Sequence, residues 1–230
     1  IDLSQFNYEQ TRYTTLKRST LLNFLLENIS QDKINFNTKL THLEKGDLIN
    51  AKFSDNSEEN FDFIVIADGI FSETKLIAFD ESFKPKYNNS VALRAIIKKH
   101  DDKNISICMG SNFHYVIYPV NQNNEYNFVS ILKKKLTNQE LNDKEIFNSE
   151  NFINSLREII EKNSYIKFEN LNDIKAFPVF VSEKFPNINQ NNIFLSGDAL
   201  FAFPPSLAQG ASQSIETAQD IFNSIINGTN

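Results

Sequence analysis

Scarcity of several residue types narrows what this chain can be. Its single cysteine, Cys108, excludes an internal disulfide framework and fits a reducing compartment, so a cytoplasmic location is expected. With one cysteine and three histidines, no cluster has metal-ligand spacing, and no Ser-His-Asp arrangement is readable. No apolar run approaches the roughly 18 residues that a membrane span requires. No signal-peptide pattern is present, although a chain that starts at Ile1 could simply lack its leader. Basic residues are the minority, 23 against 29 acidic ones, and the net charge of −6 argues against a nucleic-acid partner. The run Lys133-Lys134-Lys135 reads as a solvated strand end.

The 230 residues suffice for one large domain or two small ones with a sizeable core. Residues Arg18 to Ile29 carry Leu21, Leu22, Leu25, Leu26 and Ile29 as a helical stripe, with Ser19 or Thr20 available as cap. Short strand-like segments follow (KINF, TKLTHLEKG, DLINAKFSD), with Gly46-Asp47 as a hairpin turn. FDFIVIADG is almost continuously apolar, as a strand buried on both faces would be. From about Asn88 the segments lengthen into an antiparallel sheet, followed by a helix near 149–163 and the strand IKAFPVFVSEK. A buried strand, NNIFLSGD, and a helix over Gln209 to Asn227 close the chain. The expected fold is α/β at both ends, interrupted by a β-sheet-rich middle with helices on one side.

Two strands end alike: FIVIADG delivers Asp68-Gly69, and IFLSGD delivers Gly197-Asp198. Beyond the carboxyl ends of α/β strands ligands gather, and an aspartate there can accept charge-assisted hydrogen bonds from sugar-like hydroxyls. Either aspartate alone reads first as a turn residue, and it is the pair of such strand ends, one followed by PPSLAQGA, that points to a ligand. Residues 197–210 also hold two of the six glycines and two of the six prolines. Pro204-Pro205 fixes an extended path, and Gln209-Gly210-Ala211-Ser212 opens a helix with small residues, leaving its first N–H groups uncovered. Such a terminus suits an anion or a carbonyl that gains negative charge. His114 and Tyr118 stand four apart in one strand and so face the same side, either toward a substrate or within an aromatic-rich packed sheet. Arg94 is an isolated charge in an apolar strand, placed to pair a carboxylate or to face solvent. His42 and His100 lie in polar, turn-like segments at the surface.

GDALFAFPPSLAQGASQSIETA resembles the GD motif of the class A flavoprotein monooxygenases, the p-hydroxybenzoate hydroxylase-like family. FDFIVIADGIFSETK is similar to its DG motif, and LKRSTLLNFLLENI to its helix with Arg before a Leu-rich stripe. FHYVIYPV and AQG lean toward the salicylate hydroxylase-like branch. The resemblance implies that Asp198 bonds the FAD ribityl chain and that Gly210 and Ala211 meet the pyrimidine end of the flavin. It places Arg18 at the pyrophosphate, Asp68 near the pyrophosphate and the pyridine-nucleotide path, and His114 and Tyr118 at a phenolic substrate. Arg94 and Pro204 would line the substrate site. NADH or NADPH and O2 are the implied co-substrates of a small-aromatic hydroxylase.

The departures are specific. The chain has Gly197-Asp198-Ala199-Leu200-Phe201 where the family writes GDAAH, and Ile66 and Lys75 where the DG motif usually has Gly and Arg. No G-x-G-x-x-G occurs, so the expectation is a chain that lacks the first βαβ unit and is inactive by itself. An FAD-binding part at 1–79 and 186–230 would flank a substrate part at 80–185. The alternatives are a ubiquinone-biosynthesis type hydroxylase on the same fold, or a non-catalytic remnant that binds FAD poorly.

Overall fold

The long strands from Asn88 onward do form one sheet, and the two strand ends bearing Asp68 and Asp198 lie side by side. The computed structural model describes residues 15–79, 84–98, 104–120, 125–188 and 190–228, so that His100 falls outside the described residues. In chain order the elements begin with α1 (Arg18–Glu27), β1 (Leu40–Glu44), β2 (Ile49–Phe53), β3 (Glu58–Phe61), β4 (Ile64–Ile66) and α2 (Glu73–Phe79). The strands β5 (Lys86–Lys98), β6 (Ser106–Met109), β7 (Phe113–Pro119) and β8 (Glu125–Lys133) come next. Then follow α3 (Asn138–Asn142), α4 (Glu150–Glu161), β9 (Leu171–Val181), β10 (Ile193–Leu195) and α5 (Gly210–Asn227). The described residues group into two compact units, one within Ile1–Lys33 and Asn89–Val179, the other within Ile34–Asn88 and Phe180–Asn230.

The first unit is built on a five-stranded sheet in the order β6-β7-β8-β5-β9. Its period-2 pattern separates the faces: Leu93, Phe113, Tyr115, Phe128 and Leu132 are buried in one cluster with Phe152, Leu156 and Ile160 of α4. Ser149 caps α4 by accepting the Phe152 N–H at 3.3 Å, and each fully buried apolar side chain of the helix stabilises by about 1.5–3 kcal/mol. Pro178 is tolerated within β9 because β9 is an edge strand.

The second unit holds the antiparallel sheet β1-β2-β3 and the parallel pair β10-β4. Ile49, Ala51, Ile66, Ala78, Ile193 and Leu195 are the centre of its core. Gly46-Asp47 does lie in the β1–β2 hairpin, and a second hairpin turns at Asn56, whose φ of 65° is one that asparagine tolerates.

Local expectations fail where a short motif was read without its neighbours. KINF forms no strand; a 3-10 turn covers Gln31–Lys33. The ADG strand is only three residues long, and Val65 is 47% exposed, because β4 belongs to a two-stranded pair with an open face. The cap residue of α1 is Lys17, without a side-chain bond, and neither α1 nor α5 buries a residue, so their leucine and isoleucine stripes face outward. Among the described residues no helix is long and apolar enough to cross a membrane.

Candidate functional site

In the second unit β4 and β10 run parallel with Ile66 opposite Leu195, and Ser196 donates its N–H to the Ile66 carbonyl at 2.9 Å. Both strands therefore release their chains at the same edge. After β4, Gly69 adopts a φ of +87°, which turns the chain back into α2. The carboxylate of Asp68 accepts the Thr74 N–H at 3.3 Å, and Ser72 Oγ accepts that of Lys75 at 2.9 Å, so both cap the first turn of α2. Asp68 thus has a local structural task besides any ligand.

After β10, Gly197 adopts a φ of +58°, and its carbonyl accepts the N–H groups of Leu200 and Phe201. A Cβ at Gly197 would meet Ser214 Oγ at 2.8 Å, so α5 packs closely on this turn. Asp198 is exposed within the turn. Ser182 and Ala202 then bind each other twice, through Ser182 N–H to Ala202 O and Ala202 N–H to Ser182 Oγ, both at 3.0 Å. Exposed Pro204 is extended at φ −57° and ψ 137°, but the expected extended path stops there: Pro205–Leu207 form a 3-10 turn, which Ala208 ends at φ 52° and ψ 29°. Gln209 precedes α5 without a side-chain cap, so the first N–H groups of the helix remain available. A Cβ at Gly210 would have nothing within 4 Å. The fold does not demand glycine there; open space adjoins the backbone.

In the first unit, the sheet face opposite α4 gathers the other candidates. Strand register sets Met109, His114, Ile131 and Ala92 in one cross-strand row, and Ile107, Val116, Val129 and Arg94 in the next. Tyr118, Asn127 and Ile96 form the third. His114 and Tyr118 are half-buried, and each lies two strands and one residue pair from Arg94, about 12 Å between Cα atoms. The Arg94 guanidinium is 5.8 Å from the Phe177 ring centroid, a cation–π distance. Asn127 Nδ2 donates to the Tyr118 hydroxyl at 2.5 Å. Asn127 is invisible as a candidate in sequence, since only strand register places it opposite Tyr118. Arg18 is exposed at the start of α1, within the same unit as this sheet and not the unit of Asp68 and Asp198.

Two open clefts belong to the second unit. One of about 360 Å³ is lined chiefly by Phe53, Phe61, Val65 and Ile66, with Asp68 and Thr74. The other, about 670 Å³, includes Asp47, Asp62 and Asn192. No cation lines either one, so neither suits a pyrophosphate. Among the described residues no group of three or more His, Cys, Asp or Glu could hold a metal ion.

Residues 1–227 match the family described as "FAD binding domain". This chain belongs to that family. Several solved structures share the fold of this FAD binding domain chain. HpxO of Klebsiella pneumoniae, complexed with FAD and uric acid, aligns with a TM-score of 0.68 at 16% identity, over 87% of this chain and 52% of its own. The 2,6-dihydroxypyridine-3-hydroxylase of Arthrobacter nicotinovorans aligns at 0.72 and 16% identity, over 87% and 58%. A salicylate hydroxylase in a substrate complex aligns at 0.67 and 14% identity, over 86% and 54%. The chain therefore spans little more than half the length of these structures. No curated protein matches it by sequence.

The residues of the FAD binding domain chain fit part of FAD. The uncovered α5 terminus, the open space at Gly210 and the exposed Asp198 carboxylate suit a polar ring edge and a hydroxylated chain. A pyrophosphate cradle is not among these groups.

Proposed function

We propose that the chain forms part of an FAD-dependent monooxygenase that hydroxylates a small aromatic compound in the cytoplasm, with NADH or NADPH and O2 as co-substrates. The carrying observation is the shared edge of β4 and β10, where the Asp198 turn packs against the uncapped end of α5 with space beside Gly210. Bound FAD would supply the redox chemistry, as acceptor of the pyridine nucleotide's hydride and donor of electrons to O2. Asp198 accepts hydrogen bonds from the ribityl hydroxyls. The Gly210 and Ala211 N–H groups, with the positive end of the α5 dipole, stabilise negative charge at the pyrimidine edge. Arg18 neutralises pyrophosphate, and Asp68 stands on the pyridine-nucleotide path. In this reading Asp68, Asp198, Gly210 and Ala211 of the second unit hold the cofactor with Arg18 as a further contact, and the sheet within residues 80–185 holds the substrate.

On that sheet His114 accepts the phenolic proton of the substrate at a ring nitrogen. Tyr118 orients the ring through its hydroxyl, whose oxygen already accepts from Asn127. Arg94 pairs a substrate carboxylate, and Pro204 borders the ring. The uric acid, dihydroxypyridine and salicylate in the names of the similar structures are all small, polar, unsaturated rings, which supports this substrate class. The test is FAD titration followed by amide chemical shifts, which reads millimolar as well as micromolar affinity. Shifts concentrated at 196–199 and 209–212 support the reading. Weak binding is expected, because with Arg18 alone most of the pyrophosphate oxygens leave water unpaired, which is costly. No shift at either segment refutes it.

A further inference from the structure

Lys75 is 4% exposed, and its ammonium donates to the Ala199 carbonyl at 2.9 Å, across 124 positions of sequence. Ala199 is itself fully buried and immediately follows Asp198. The lysine backbone is fixed in turn, since its N–H is capped by Ser72 and the neighbouring Thr74 N–H by Asp68. One side chain thus ties the turn after β4 to the turn after β10. Burial pushes the Lys75 ammonium below the ordinary lysine value, with the Asp68 charge acting against that shift. Keeping a cation where its charge is costly is a poor route to stability, because an apolar side chain of similar length fills such a place as well or better. The geometry instead gives the charge a task one residue from Asp198.

We propose that Lys75 is a positioning residue for Asp198, clamping the Ala199 carbonyl so that the 3-10 turn Gly197–Ala199 holds one shape. This rests on the reading of Asp198 as an FAD contact.

The experiment compares wild type, K75M and K75R by thermal unfolding, by hydrogen exchange at the Leu200 and Phe201 amides, and by FAD titration. In K75M exchange at these two amides should rise about tenfold or more and FAD affinity should fall by a similar factor, as expected for loss of a charge-assisted bond. The melting temperature should stay close to wild type, and K75R should recover both readouts. In a D198A background K75M should change FAD affinity little further, because the two act as one unit. Where K75M does not fold, K75Q, which keeps an uncharged donor, serves in its place with a smaller expected loss. Unchanged exchange and affinity in K75M overturn the proposal. So does equal loss in K75M and K75R in step with a falling melting temperature, which assigns the residue to packing. If wild type itself binds no FAD, the flavin reading fails, and the exchange measurement still decides whether Lys75 holds the turn.

Discussion

Ala208 sits in the left-handed region at φ 52° and ψ 29°, between the Pro205–Leu207 turn and α5. An L-residue with a Cβ is disfavoured there by about 1–2 kcal/mol, since Cβ crowds the following carbonyl. Ala208→Gly removes that crowding. Against the gain stands the greater freedom of glycine in the unfolded chain, worth about 0.4–1 kcal/mol. The net expectation is stabilisation of about 0.5–1 kcal/mol, which for a unit near 100 residues raises the melting temperature by about 2–8 °C. Ala218→Gly, an exposed position inside α5, supplies the opposite control: there glycine should cost about 1 kcal/mol. Calorimetric unfolding of both variants gives the comparison. If Ala208→Gly lowers the melting temperature as Ala218→Gly does, the backbone is not strained at 208.

Gly197→Ala should destabilise by about 2 kcal/mol or more, since it meets both the left-handed cost and the Ser214 contact at 2.8 Å. Gly210→Ala should leave unfolding nearly unchanged and still weaken FAD binding, because its methyl group enters open space beside the helix terminus; equal FAD affinity in G210A counts against a flavin at that edge. His114→Phe should slow hydroxylation by about 10²–10⁴-fold with little effect on flavin reduction, and Tyr118→Phe should slow it less. Stopped-flow measurement of the two steps separates them, and unchanged hydroxylation in H114F makes the pair packing. In α3, hydrogen bonds from Thr137 hold the Glu140 carboxyl below the ordinary value near 4.5. The capping box is therefore fully stabilising above about that pH and is lost as pH falls through the lower folded value, which hydrogen exchange in α3 at pH 6 and pH 3, each about 1.5 units from the ordinary value, will read.

Periodicity was legible wherever one face of an element is buried. Strand β7 alternates, so the shared face of His114 and Tyr118 could be read from spacing, whereas the row of Arg94 follows only from strand register. The stripes of α1 and α5 were equally periodic, yet neither helix buries a residue; amphipathic spacing reports which face is apolar and not what covers it. Long-range polar ties were hidden for a different reason. Asn127 meets Tyr118 only through strand register, and Lys75 meets Ala199 only because β4 and β10 pair. Neither tie leaves a local sequence signal, while Asp68 and Asp198 did, because Asp-Gly and Gly-Asp at strand ends are themselves turn chemistry.

Three departures from local economy fall in the second unit, near the carboxyl ends of β4 and β10 and the start of α5. Lys75 keeps a buried charge, Ala208 holds a left-handed backbone, and α5 starts without a side-chain cap. A sequence selected for stability alone would replace each of them cheaply, by an apolar residue, a glycine and a serine or aspartate cap. Their combined cost is of order several kcal/mol, comparable with a large share of a small unit's net stability. Such costs persist where a site needs them, because a ligand that meets backbone donors and a fixed carboxylate returns free energy only in the bound state. FAD at this edge would do so through Asp198 and the N–H groups of α5. Saturating FAD should therefore raise the melting temperature of wild type more than that of a variant with Asp198→Ala, and equal shifts in the two would separate the strained loop from the cofactor.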